Sequence, residues 1–113
     1  MIEADVVTHF ATWLSRAGSS VETELNFADV VAQRDGVRMV VEAKGTTTSP
    51  GLDVDTAYGQ LLRRLDPNRS DQIYALVVPE SARAAAERVR QEVRVLLKIE
   101  VMVVAEDGTV ERA

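Results

Sequence analysis

The sequence contains no cysteine and a single histidine, His9. The lack of cysteine excludes disulfide bonds, zinc sites built on thiolates and cysteine nucleophiles. One histidine excludes metal sites that need several imidazole ligands and disfavours a serine–histidine triad. Any chemistry that this chain performs must therefore use carboxylates, lysine, arginine or hydroxyl groups.

Long hydrophobic runs are also missing. No apolar stretch approaches the ~18–20 residues that cross a bilayer, and the first thirty residues carry acids where a signal peptide has basic and then apolar segments. These absences predict a cytoplasmic protein with no membrane association. The length of 113 residues, of which 46% are hydrophobic, suffices for a packed core and predicts a single domain over residues 1–113.

A surplus of basic residues is missing too, because the formal net charge is −5. This balance disfavours a protein that coats nucleic acid by bulk electrostatics, a binding mode that needs clustered cations. The charge is uneven, however: residues 56–98 hold eight basic and five acidic residues, whereas residues 1–55 hold four basic and nine acidic ones. The segment 56–98 is therefore the candidate contact surface for a polyanion, with plain solvated helix faces as the alternative.

The spacing of the apolar residues predicts three helices and five strands. Asp35-Gly36 lies between two β-rich runs and predicts a tight hairpin, because both residues tolerate the positive φ of a type I′ turn. The irregular stretch 45–53 predicts a loop that ends at Asp53 as a helix N-cap. In chain order the predicted elements are helix 3–17, strands 21–25, 27–34 and 37–44, a helix from Asp53, strand 72–79, helix 80–97 and strand 99–105.

This element order predicts an α/β (α+β) fold with one mixed central sheet flanked by helices. The helix over 80–97 is expected to bury one face of small and aliphatic residues. That face consists of Ala82, Ala86, Val89, Val93 and Leu96.

The predicted hairpin brings two carboxylates together. A two-residue loop pairs Arg34 with Val37, so that Asp29 faces Glu42, and the period of two puts Lys44 on the same face as Glu42. Opposed carboxylates destabilise a strand pair unless a cation compensates them, either a neighbouring base or a divalent metal. Oxygen ligands of this kind suit Mg²⁺ or Mn²⁺. The alternative is an exposed face with ordinary cross-strand pairs.

Asp29, the twelve residues that span the hairpin, and then Glu42-Ala43-Lys44 resemble the core of the PD-(D/E)xK (restriction endonuclease-like) nuclease superfamily. The chain is especially similar to small archaeal Holliday-junction resolvase-like proteins. The resemblance implies an αβββαβ core, in which the acids at Asp29 and Glu42 bind Mg²⁺ (or Mn²⁺ as a substitute) and Lys44 assists the attacking water. Ala28 replaces the proline of the motif, which lowers its specificity without removing a ligand.

The same resemblance extends to residues on two helices. Glu3 matches a first-helix glutamate that completes the metal site in several branches, although an acid at a helix N-terminus is favourable in any protein. Gln60 and Arg64 match a catalytic Gln followed four residues later by Arg or Tyr. Arg63 and Arg64 lie off the apolar stripe of their helix and are the first candidates for contacting nucleic acid, with solvation of the helix as the alternative.

The resemblance therefore implies a metal-dependent nuclease that hydrolyses phosphodiester bonds, with DNA as the favoured substrate and no small-molecule cofactor. A chain this short also suggests a homodimer, which presents two sites to a duplex. The competing hypothesis is a catalytically silent module of the same fold that acts as a structural or protein-binding subunit, which the acidic balance favours.

Overall fold

A computed structural model describes residues 1–25 and 28–113. The predicted strand 27–34 thus begins at a residue outside the described part. The first half of the chain contains α1 (Glu3–Arg16), β1 (Ser20–Leu25), β2 (Ala28–Arg34), β3 (Val37–Ala43) and α2 (Pro50–Arg64). The second half contains β4 (Gln72–Pro79), a 3₁₀ turn (Glu80–Ala82), α3 (Arg83–Ala86), α4 (Gln91–Leu97), β5 (Ile99–Val104) and β6 (Val110–Arg112).

The described strands form one six-stranded sheet in the order β1-β2-β3-β4-β5-β6. The first three strands are antiparallel neighbours, β3, β4 and β5 are parallel, and β6 returns antiparallel to β5. The parallel strands need crossover connections, and the helical segments after β3 and β4 supply them. The predicted α/β fold with a mixed sheet flanked by helices is therefore confirmed.

The hairpin between β2 and β3 has the predicted turn. Asp35 and Gly36 both adopt positive φ angles, 52° and 78°. The strands pair from Arg34↔Val37 to Val30↔Val41, which is the register that a two-residue loop imposes. Because side chains alternate along a strand, this register decides which residues of β2 and β3 face α1 and which face α2.

Each face of the sheet has its own hydrophobic core. On one face α1 packs Val6, Phe10 and Leu14 against alternate strand residues such as Val41 and Val77. On the other face α2 packs four buried side chains against the intervening strand residues. These side chains are Val54, Ala57, Tyr58 and Leu61.

Three predictions about the elements were wrong. The second helix begins at Pro50, whose missing N–H is harmless in the first turn, so Asp53 lies inside the helix and is not its cap. The predicted helix 80–97 is broken between α3 and α4, and β6 was not anticipated. None of the helices in the described part of the chain is long and apolar enough to cross a membrane.

The break after α3 has a clear hydrogen-bonding cause. In a continuous helix the N–H of Val93 would donate to the carbonyl of Val89. Here it donates to the carbonyl of Arg90, at 3.0 Å. The Val89 carbonyl instead accepts a hydrogen bond from Nε of the buried Arg94 side chain, at 3.0 Å. As a result Val93 and Leu96, which were expected to face inward, are 41% and 82% exposed.

Candidate active site

Glu42 and Lys44 lie at the end of β3, on the sheet face that α2 covers. Glu42 shares this face with Val40, which packs in the α2 core, and it is only 3% exposed. Lys44 follows the last residue of the strand, and its N–H still donates to the Val77 carbonyl of β4 at 3.0 Å. The backbone at the Lys44 position is thus anchored, while its side chain is half-buried and has no hydrogen bond or ion pair within the described residues.

Asp29 takes part in the hairpin through its side chain. The described pairing of β2 with β3 ends at Val30↔Val41, and beyond it the N–H of Ala43 donates to Asp29 Oδ2 at 2.8 Å. The Asp29 carboxylate thus accepts the hydrogen bond that a backbone carbonyl of the neighbouring strand usually accepts. This bond fixes one oxygen of Asp29 beside the residue that separates Glu42 from Lys44, so the three predicted site residues share one end of the hairpin.

One residue of α2 contacts Glu42, and a second lies on the same side of that helix. Arg64, in the last turn of the helix, forms an ion pair with Glu42. Gln60 lies one helical turn earlier on the same side of α2. Its Oε1 is buried and has no hydrogen-bond partner in the described part of the chain. An unsatisfied buried carbonyl oxygen is uncommon in a folded protein and calls for a donor or a cation.

The N-terminal segment brings Glu3 to this end of the sheet. Thr46 N–H donates to the Met1 carbonyl at 2.7 Å, and the Met1 ammonium donates to Thr46 Oγ1 at 3.1 Å. A Cβ atom at Gly45 would lie 2.4 Å from the Glu3 backbone nitrogen, so only glycine permits this approach. The close contact between the loop after β3 and the start of α1 therefore positions Glu3 near Lys44.

Electrostatics show that Glu3 belongs to an acidic cluster. Partial burial raises the pKa of Glu3, the charges of Asp29 and Asp53 raise it further, and Lys44 opposes the shift. The shift is upward even though Glu3 lies in the first turn of α1, where the helix dipole favours a carboxylate. Asp53, which accepts a hydrogen bond from the Thr47 hydroxyl, is the member that sequence analysis missed. Pro50 was the available signal, because proline favours the first helical position and places Asp53 inside the first turn.

The raised pKa of Glu3 makes a prediction about stability. A carboxyl whose folded-state pKa lies above its unfolded value of 4.5 costs stability once it is ionised. We therefore expect Glu3→Gln to raise the melting temperature at pH 7, and we expect this gain to shrink as the pH falls through the folded pKa to below 4.5. Asp5→Asn is the control, since Asp5 lies in the same first turn of α1. Thermal unfolding from pH 4 to pH 8 measures both variants, and equal pH profiles would contradict the clustering of Glu3 with the other acids.

The donor set suits a hard divalent cation in its chemistry. Asp29 and Glu42 offer carboxylate oxygens, and Mg²⁺ is commonly held by one or two carboxylates with water in the remaining positions. Gln60, on the helix that covers this face of the sheet, carries a buried and unsatisfied oxygen acceptor, Oε1. Among the described residues, however, no group of three or more His, Asp or Glu side chains is spaced to hold a metal ion. The site thus has a fitting pair of carboxylates but not a complete carboxylate cage.

The two arginines proposed for nucleic-acid contact differ in their surroundings. Arg63 is exposed in the last turn of α2. Arg64 is directed to Glu42, and 21% of its side chain is exposed. Only Arg63 has the solvated position that the sequence suggested for both residues.

The solved structures that match this chain include two proteins with this fold. An XisH family protein from Nostoc punctiforme PCC 73102 aligns over 93% of this chain and 96% of its own, with a TM-score of 0.61 and 16% identity. An fdxN element excision controlling factor protein from Anabaena variabilis aligns over 95% of this chain and 96% of its own, with a TM-score of 0.53 and 17% identity. No protein-family model and no curated protein matches the sequence. These likenesses show the fold alone, and function must be argued from the site.

Proposed function

We propose that this protein is a metal-dependent nuclease that hydrolyses phosphodiester bonds in DNA. The observation that carries the proposal is the meeting of Asp29, Glu42 and Lys44 at one end of the β2–β3 hairpin, with the Asp29 carboxylate tied to the backbone between the other two. The resemblance to the PD-(D/E)xK nucleases assigns catalytic work to these same three positions.

Each residue has a distinct task in this proposal. Asp29 and Glu42 hold Mg²⁺, or Mn²⁺ in its place, and Glu3 adds negative charge from the start of α1. The bound ion supplies Lewis acidity toward the phosphoryl oxygens and lowers the pKa of water. Lys44 orients the attacking water and neutralises charge that develops on the phosphoryl oxygens. Gln60 directs its unsatisfied Oε1 to a donor at the same site, such as an ordered water.

DNA is the proposed substrate for two reasons. The resemblance of the Asp29, Glu42 and Lys44 pattern to the PD-(D/E)xK nucleases implies a DNA substrate. In addition, the segment 56–98 is locally basic and begins on the helix that borders the site, with Arg63 exposed at its end. Occupation of the acidic cluster by a divalent ion reduces its repulsion of phosphate, so binding of DNA should require the ion. We also propose a homodimer, which would present two such sites.

A second function is favoured by one specific feature. Arg64 already neutralises Glu42, and the described residues contain no ready cluster of three metal-binding side chains. A fold that has replaced its metal by an internal ion pair could serve as a catalytically silent subunit that binds another protein. Activity decides between the two functions.

The test is cleavage of plasmid, linear duplex and branched DNA by the purified protein in Mg²⁺, Mn²⁺, Ca²⁺ or EDTA. The nuclease proposal predicts nicking in Mg²⁺ or Mn²⁺ that EDTA abolishes and that Asp29→Asn removes. Glu22→Gln, on the neighbouring strand β1, is the control for loss of one negative charge. Absence of metal-dependent cleavage on every substrate would favour the silent subunit.

A further inference from the structure

The Glu42 carboxylate has a counter-ion of its own in the absence of metal. Glu42 is 3% exposed, and a buried carboxylate without a cation is costly because burial in a low dielectric penalises its charged form. The Arg64 guanidinium meets this requirement through its ion pair with Glu42. Arginine is well suited to such a place, since its planar group stays charged at every working pH and donates hydrogen bonds in a fixed geometry.

The same pair blocks the proposed metal site. A divalent ion needs the Glu42 oxygens that face the site, and a guanidinium that donates to Glu42 Oε1 holds positive charge at that position. Two cations that share one carboxylate repel each other at close range. The metal and the Arg64 guanidinium therefore compete for Glu42.

We propose that Arg64 is a displaceable internal counter-ion that occupies the metal position of Glu42 until a divalent ion replaces it. This inference rests on the proposed function, because it concerns regulation of the same site. It explains how a nearly buried carboxylate is tolerated before metal binds, and it assigns to Arg64 a role in positioning Glu42 and not in catalysis itself.

The position of Arg64 permits this exchange. The residue lies in the last turn of α2, and 21% of its side chain is exposed, so the guanidinium can move into solvent without opening either hydrophobic core. Once displaced from Glu42, the long side chain stays tethered beside the site and keeps its positive charge. Metal binding thus releases an arginine toward an incoming phosphate, and this release makes binding of metal and binding of substrate mutually favourable.

The experiment compares Mn²⁺ binding to wild-type protein, Arg64→Gln and Arg63→Gln by calorimetric titration at pH 8. Removal of the competing guanidinium is expected to tighten Mn²⁺ binding about tenfold, which corresponds to ~1.4 kcal/mol. Arg63→Gln removes the same charge from the adjacent exposed position of α2. It should leave the Mn²⁺ affinity within about twofold of wild type, well short of the roughly tenfold change expected for Arg64→Gln. A general effect of net charge would move both variants equally.

Stability supplies a second measurement. Without metal, Arg64→Gln leaves Glu42 unpaired and should lower the melting temperature more than Arg63→Gln does, and Mn²⁺ should restore it with a larger upward shift than in wild type. Arg64→Lys keeps the positive charge but lacks the planar guanidinium, so its Mn²⁺ affinity should lie between those of wild type and Arg64→Gln. This variant provides the test if Arg64→Gln fails to fold.

The outcomes separate this inference from the proposed function. If wild type binds Mn²⁺ and Glu42→Gln does not, while Arg64→Gln or Arg64→Lys binds Mn²⁺ no more tightly than wild type, the counter-ion role is overturned and the metal site stands. If wild type, Arg64→Gln and Arg64→Lys all fail to bind Mn²⁺, the metal site and the counter-ion role are overturned together.

Discussion

Replacement of Lys44 by Gln is expected to reduce metal-dependent DNA cleavage by at least about a hundredfold, the scale of losing one preorganised group that stabilises developing charge. Lys44 follows β3 directly, and its N–H bond to Val77 fixes the backbone from which the side chain extends. Its ammonium group forms no hydrogen bond or ion pair with a described residue, so it is available to water and phosphate. Because the side chain acts on the reacting atoms and is not a metal ligand, Mn²⁺ affinity should stay close to that of wild type.

The only other lysine of the chain provides a matched control for Lys44→Gln. Lys98 lies after α4, where it caps that helix, and Lys98→Gln removes the same charge far along the chain from the hairpin. We expect Lys98→Gln to cleave DNA at nearly the wild-type rate in single-turnover assays at saturating Mg²⁺. Wild-type cleavage by Lys44→Gln under the same conditions would remove Lys44 from the mechanism.

The parts of the site that sequence analysis predicts are those set by local rules. The Asp35-Gly36 turn admits one register, and that register with the period of two puts Glu42 and Lys44 on one face and Asp29 on the neighbouring strand. These relations depend only on residues within about twenty positions of one another. Apolar periodicity likewise predicts which residues lie on each face of the sheet, because a helix that covers one face contacts every second residue of a strand.

The parts that sequence analysis misses depend on contacts between distant segments. The ion pair of Arg64 with Glu42 depends on how α2 lies across β3, and no local pattern specifies that crossing. Asp53 joins the acidic cluster only because Gly45 and Thr46 pack against the chain start and carry Glu3 there. The break before α4 arises because the buried Arg94 side chain donates to the Val89 carbonyl, which in a continuous helix would accept a backbone N–H.

Glu42→Gln is expected to have two large effects at once. It should abolish measurable Mn²⁺ binding, since Glu42 is one of only two carboxylates that the hairpin offers to the ion. It should also destabilise the metal-free protein by about 1.5–3 kcal/mol, the range for a hydrogen bond to a charged group. The second effect arises because Glu42 is nearly buried, so the neutral amide leaves the Arg64 guanidinium without its carboxylate.

A second strand glutamate paired with arginine shows whether burial is the cause. Glu100 on β5 pairs with Arg112 on β6 at 3.3 Å, but the two side chains are 30% and 67% exposed, and exposed pairs contribute little. Glu100→Gln should therefore change stability by less than about 1 kcal/mol and leave Mn²⁺ binding intact. Chemical denaturation and calorimetry on both variants provide the comparison. Mn²⁺ binding that survives Glu42→Gln would place the metal elsewhere, whereas an unchanged free energy of unfolding would show that the pair with Arg64 contributes nothing to the metal-free fold.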